Sequence, residues 1–137
     1  MTDTIAPDQP TYPYATYLDV RFPPLTHIAL DPLVAGVRDQ WYNETLCKVN
    51  DSVVRFGVMQ GEYLWHKHDK DDEFFYVVEG RFLIDLEPTA DAAPGRVVEL
   101  TPRQAFVVPK GVVHRTRAPE RTVILMMETA SIRPTGD

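Results

Sequence analysis

Between Gly61 and Gly80 the chain reads GEYLWHKHDKDDEFFYVVEG, which sets His66 and His68 one residue apart and Glu73 five positions beyond the second histidine. Along an extended strand, residues i and i+2 share a face, so the two imidazoles project side by side. Glu73 follows a charged loop and offers a third corner from the next stretch. Two imidazoles and a carboxylate suit a divalent transition metal. A fourth donor, His114 in PKGVVH, opens another strand-like run. Residues this far apart in sequence meet only if their strands curl around a common interior. That requirement constrains the fold more than any other feature of the chain.

The remaining pattern supplies the strands. Short apolar or β-branched runs cover Thr45–Val49, Ser52–Met59, Glu62–His68, Phe74–Val78 and Arg81–Leu86. Further runs follow at Val97–Leu100, Ala105–Val108, Val112–Thr116 and Thr122–Glu128. Asn50-Asp51 marks a turn, and Glu79-Gly80 between two apolar runs predicts a hairpin. PTADAAPG, at 88–95, reads as a polar surface loop. Asp31-Pro32 ahead of Leu33, Val34 and Val37 predicts one short helix, with Asp31 as N-cap and Pro32 at the first helical position. Many short strands punctuated by glycine, proline and Asn-Asp predict an all-β sandwich or barrel.

Residues 1–24 differ in character. Pro7, Pro10, Pro13, Pro23 and Pro24 are interspersed with Tyr12, Tyr14 and Tyr17. Proline donates no backbone hydrogen bond and fits neither a helix interior nor a central strand, so this region predicts an extended arm. Tyr14–Phe22 within it is a candidate edge strand or docked segment. Residues 25–137 then form a single domain.

Parity separates the faces of the later strands. Leu64, His66 and His68 share one face, against Tyr63, Trp65 and Lys67. In Val112–Thr116 the arginines at 115 and 117 seek solvent, which turns Val112, His114 and Thr116 inward. All three histidines then converge in one barrel, where buried imidazoles without a shared partner would be costly. The same parity points Tyr63, Trp65, Phe74, Tyr76 and Val78 outward, so the outer sheet face needs cover. The aromatic arm supplies it, within the chain or across a homodimer.

Composition narrows the partners. With 137 residues the chain makes one domain with a real core. A net charge of −6 opposes duplex nucleic-acid binding, which calls for a basic face. No apolar run approaches the about 20 residues of a membrane-spanning helix, and MTDTIAPDQP lacks the regions of a signal peptide. Cys47 is the single cysteine, read as a buried inert thiol, and a cytoplasmic location is expected. His27 has no partner motif and reads as structural or solvated. The run Asp69–Asp72 and Arg115, Arg117 and Arg121 read as solvated surface, while Arg55 and Arg81 are the arginines expected to enter the interior.

The spacing Gly61-x4-His66-x-His68-x4-Glu73-x6-Gly80 resembles the first motif of the cupin superfamily, and Pro109-x-Gly111-x2-His114 resembles the second. The similarity spans about Val53 to Glu128. WHKH at 65–68 and the Thr135-Gly136-Asp137 sequence resemble small single-domain cupins that carry a mannose-6-phosphate isomerase-like label. Two departures from the family pattern leave the four donors untouched. The first motif has four residues between Gly61 and His66 where five are usual, and Ala118 stands where asparagine is usual.

The resemblance implies a small β-barrel of jelly-roll type. It also implies one divalent transition metal (iron, manganese, nickel or zinc) held by His66, His68, Glu73 and His114. The expected function is a metal-dependent enzyme on a small metabolite, a dioxygenase or related oxidoreductase. The alternatives are a sugar or keto-acid isomerase or lyase, or a non-catalytic binding cupin. Isomerase chemistry needs a general base facing the site, and parity identifies none.

Overall fold

The chain is known as a computed structural model that describes residues 14–88 and 95–137; the segment before Tyr14 and most of the PTADAAPG loop lie outside the described residues. Eight strands and one short helix follow in the order β1 (Ala15–Tyr17), α1 (Leu30–Ala35), β2 (Trp41–Val49), β3 (Ser52–Glu62), β4 (Glu73–Glu79), β5 (Phe82–Leu86), β6 (Arg96–Leu100), β7 (Ala105–Val108) and β8 (His114–Thr129). Strands run β1-β2-β3-β8-β4-β7, and β5 joins β8 to β6. The architecture is all-β, a small jelly-roll barrel.

β8 is the common seam. From Arg117 to Thr129 it pairs antiparallel with β3, Ser52↔Thr129 at one end and Glu62↔Arg117 at the other. On its other edge, β4 pairs with Val123–Met127 and β5 pairs with His114–Arg117. The two runs predicted at 112–116 and 122–128 are therefore one strand. Pro119 does not break it, because the β3–β8 register shifts between Met59 and Gly61, and Pro119 lies in that interruption.

The predicted hairpin at Glu79-Gly80 is not one. β4 and β5 both run antiparallel to β8, one after the other, so the chain turns a corner and does not reverse. Gly80 makes that corner with φ +91, and a Cβ there would sit 2.6 Å from the Arg121 carbonyl oxygen and 2.7 Å from Thr122 Cα. Only glycine tolerates both the dihedral and the approach. Thr122 closes the corner, accepting from the Arg81 amide and donating to the Arg81 carbonyl.

β2 starts at Trp41, four residues before the predicted run, and α1 starts at Leu30 with Ala29 as N-cap and no side-chain cap. Asp31 and Pro32 thus lie inside the first turn, where a missing proline N–H breaks no intrahelical bond.

The apolar faces divide into two clusters. Trp41, Met59, Phe75, Val77, Phe82, Ile84, Ile124 and Met126 fill the barrel. Tyr42, Leu46, Phe56, Val58 and Val123, on the opposite face of β2, β3 and β8, pack beneath Tyr17, Phe22, Leu33 and Val34. The aromatic arm does cover an outer face within the chain. β1 lies parallel to β2, and the amides of Arg21 and Phe22 donate to the carbonyls of Thr45 and Leu46. Cys47 is half-buried in this outer cluster, short of the full burial expected. His27 is exposed.

Candidate metal centre

The predicted strand through His66 and His68 does not form. β3 ends at Glu62, after the register shift and Gly61 at φ +120, and residues 63–68 continue as irregular chain. One rung remains, in which the amides of His66 and His114 each donate to the other's carbonyl at 2.9 Å. The lost regularity resets parity. Tyr63, expected outside, is buried and lines the cavity, while Trp65 stays outside beneath the Arg115 guanidinium, 5.0 Å from its ring centre. The loop that follows is pinned to the other motif. The Gly111 amide donates to the His68 carbonyl at 2.8 Å, and the Lys110 amide to Asp72 at 3.0 Å.

His66, His68, Glu73 and His114 each place a donor atom within 4.8 Å of all the others. Glu73 opens β4 and His114 opens β8; both are buried, as is His68. Nδ1 of His66 lies 3.0 Å from the Leu64 carbonyl, and Nδ1 of His114 lies 3.0 Å from the Val112 carbonyl. A carbonyl only accepts, so each Nδ1 carries the hydrogen and each Nε2 keeps its lone pair. His68 Nδ1 is 2.8 Å from the Asp137 carboxylate, which leaves Nε2 as its inward atom too.

These inward atoms do not satisfy one another. His68 Nε2 is buried without a hydrogen-bond partner. Oε1 of Glu73 lies 3.2 Å from His114 Nε2 and 3.6 Å from His68 Nε2. A lone pair facing a carboxylate oxygen at that distance is repulsive unless a proton or a cation lies between them. Burial first, then the His114 charge, pushes His66 down to about 4. Burial likewise lowers His114 and raises Glu73. Neutral imidazoles around one carboxylate are the form in which such residues ligate a divalent metal, and the donor set fits one.

A cavity of about 40 Å³ adjoins the cluster. Trp41, Tyr63, Phe75 and Phe82 give it aromatic walls, with Met59, Ile124 and Met126 between them. Arg55 and Glu128 also line it; they form a buried ion pair, and Arg55 Nε donates to Thr45 at 2.9 Å. Glu128 hydrogen-bonds to Glu73. Burial, then the charge of Glu73, pushes Glu128 well above the carboxylate range, while Arg55 acts in the opposite direction. Burial raises both acids, and the Arg55 guanidinium opposes the rise at each.

Of the two arginines expected inside, Arg55 enters and Arg81 does not; Arg81 is exposed and paired with Glu99. Arg115 and Arg117 stay outside but are not merely solvated, since both clamp the buried Asp85. Arg121 reaches the Val37 carbonyl at 3.2 Å. Sequence reasoning missed Glu128, Trp41 and Asn43. Glu128 was detectable: it continues the inward alternation of Ile124 and Met126, a charge at the end of an apolar face. Trp41 and Asn43 precede the point where the predicted strand began.

Comparison with known proteins agrees with this fold. The chain is 41% identical over 92 residues to protein YdbB of Bacillus subtilis (strain 168), covering 67% of this chain and 76% of YdbB. The crystal structure of a cupin-2 domain containing protein from Shewanella frigidimarina NCIMB 400 superposes with TM-score 0.66 at 26% identity, covering 74% of this chain and 93% of that one. Hydroquinone 1,2-dioxygenase from Sphingomonas sp. TTNP3, solved with 4-hydroxybenzoate bound, shares the fold with TM-score 0.66 at 17% identity, covering 82% of this chain and 36% of that one. The cupin domain pattern (Cupin_2) matches residues 53–128, from the start of β3 to the end of β8, and the chain belongs to the cupin family.

Proposed function

We propose that this protein is a metal-dependent enzyme acting on a small metabolite, a dioxygenase or related oxidoreductase. In this reading His66, His68, Glu73 and His114 hold one divalent transition metal. The observation that carries it is the cluster of four donors within 4.8 Å beside a cavity with aromatic and aliphatic walls. A divalent metal held by these four donors would supply polarisation of an oxygen ligand or activation of dioxygen. The chain's own residues exclude bulk water, orient the imidazoles and present Arg55 and Glu128 to the ligand. Arg55 is the one cation among the described cavity-lining residues that carries a permanent charge, and Glu128 engages it. Such a wall favours a neutral or weakly polar substrate over a phosphosugar. That a hydroquinone 1,2-dioxygenase shares this fold supports the reading.

Glu128 favours a second reading. It is a buried carboxyl group on the cavity wall, raised by burial and by the charge of Glu73, of the kind an isomerase or lyase uses for acid–base work, and the sequence did not reveal it. Metal analysis by plasma mass spectrometry, on protein purified without added metal, tests the shared premise. About one iron or manganese per chain, lost in His114→Ala, supports it. Oxygen consumption with a catechol and diketone panel marks the first reading. Solvent-proton exchange into a keto acid without oxygen uptake, abolished in Glu128→Gln, marks the second. Saturable binding without turnover would make the protein a binding cupin and refute both.

We also propose that the chain forms a homodimer through the outer face of β4, β7 and β8. Phe74 is the ladder partner of both Val107 and Met127, which are 46% and 45% exposed, so one apolar row crosses three strands without cover from the described chain. The expected compartment is cytoplasmic. Among the described residues, no helix is long and apolar enough to cross a membrane.

A further inference from the structure

The three histidines of the cluster are not held alike. His66 and His114 each donate Nδ1–H to the carbonyl two residues earlier, Leu64 and Val112. The equivalent acceptor for His68 would be the His66 carbonyl, and that oxygen already receives the His114 amide at 2.9 Å. That oxygen is thus already engaged by the rung that joins the two motifs. Its place is filled from 69 residues away, by the Asp137 carboxylate at 2.8 Å.

The segment that delivers this carboxylate is built into the site. After β8, residues 130–137 fold back across the loop. The Asp137 amide donates to the Lys67 carbonyl at 3.0 Å, and the Asp69 amide to the Asp137 carbonyl at 3.2 Å. Gly136, at φ +109, passes so close that a Cβ would lie 3.1 Å from both His66 Cβ and the Lys67 carbonyl oxygen. Pro134 reaches the cavity wall. The backbone bonds bracket His68, so the Asp137 side chain meets a ring whose neighbours are already fixed.

We propose that Asp137 is a positioning residue for the candidate metal centre: its carboxylate fixes the His68 ring with hydrogen on Nδ1 and turns the Nε2 lone pair toward Glu73 and His114. A carboxylate behind an imidazole ligand also raises the ring's basicity, and loss of such a partner typically weakens metal binding by about 10- to 100-fold. This inference rests on the metal reading above.

The test uses the full chain with Asp137→Ala, Asp137→Asn and Thr135→Ala. Cobalt(II) affinity is measured by chelator competition, with the visible spectrum recorded as a reporter of ligand geometry. The His68 tautomer is read in metal-free protein by nitrogen-15 NMR. For Asp137→Ala we expect about 10- to 100-fold weaker cobalt binding, an altered spectrum and a mixture of His68 tautomers, with the His66 and His114 tautomers unchanged. Asp137→Asn keeps an acceptor without the charge, so the tautomer is restored while affinity recovers only in part; Thr135→Ala matches the parent. Cobalt affinity within twofold of the parent and an unmoved tautomer in Asp137→Ala would overturn the role. A parent protein that binds no cobalt defeats the metal reading instead, and the tautomer measurement still decides whether Asp137 orients His68.

Discussion

Glu73 is the residue on which the site's energetics turn. In metal-free protein its carboxylate is buried among imidazole lone pairs and beside a second acid, Glu128. Its pKa in the folded chain lies above the ordinary 4.5, so the folded state holds a proton that the unfolded state has released, and stability is lost as pH rises from 4.5 through the folded value. His66 contributes the opposite slope, because it stays neutral down to about 4 while the unfolded ring protonates near 6.5. Acidification through that window therefore costs stability. Comparing the parent with Glu73→Gln isolates the first effect. At pH 7 the metal-free variant should be more stable by about 1 kcal/mol, with the advantage shrinking as pH falls toward 4.5, and it should retain no tightly bound metal. Urea titrations at several pH values, with metal analysis alongside, check both.

The residues of the candidate site were legible from sequence because two short motifs set their spacing, and the structure brings all four together. What was not legible depended on where alternation stops. Gly61 at φ +120 and the adjoining register shift end β3, so parity counted from His66 assigned Tyr63 to the wrong face. Glu79-Gly80 has the composition of a turn, yet the contact with Thr122 that makes it a corner lies 42 residues away and has no local signature.

That corner gives a prediction about elements. Gly80→Ala should destabilise the fold by about 3 kcal/mol, from the positive φ and the contact with the β8 backbone, read as a lower urea midpoint with unchanged m-value. A second prediction concerns the β5–β8 ladder. Burial alone would raise Asp85, but hydrogen bonds from Arg117 and Arg115 hold it below the usual 3.8. The stability it supplies is present above pH 3.8 and fades as pH drops through the folded value. Asp85→Asn should cost about 1–2 kcal/mol at pH 7, with the gap closing in acid below 3.8; thermal melts across pH measure it.

At the scale of the molecule, the face carrying Phe74, Val107 and Met127 makes the dimer testable. Light scattering at micromolar concentration should give twice the chain mass, and Met127→Glu should halve it while leaving the far-ultraviolet circular dichroism unchanged. A parent that scatters as a monomer rules the dimer out. The position of β8 has a further consequence, for synthesis. This strand is partner to β3, β4 and β5 and contributes His114, yet among the described strands it leaves the ribosome after all of its partners. Until Thr129 has emerged, β3 and β4 have no shared neighbour, and their apolar faces wait in the nascent chain. Barrel closure and assembly of the four-residue cluster therefore both wait on this strand, and a chain stalled before residue 114 has neither.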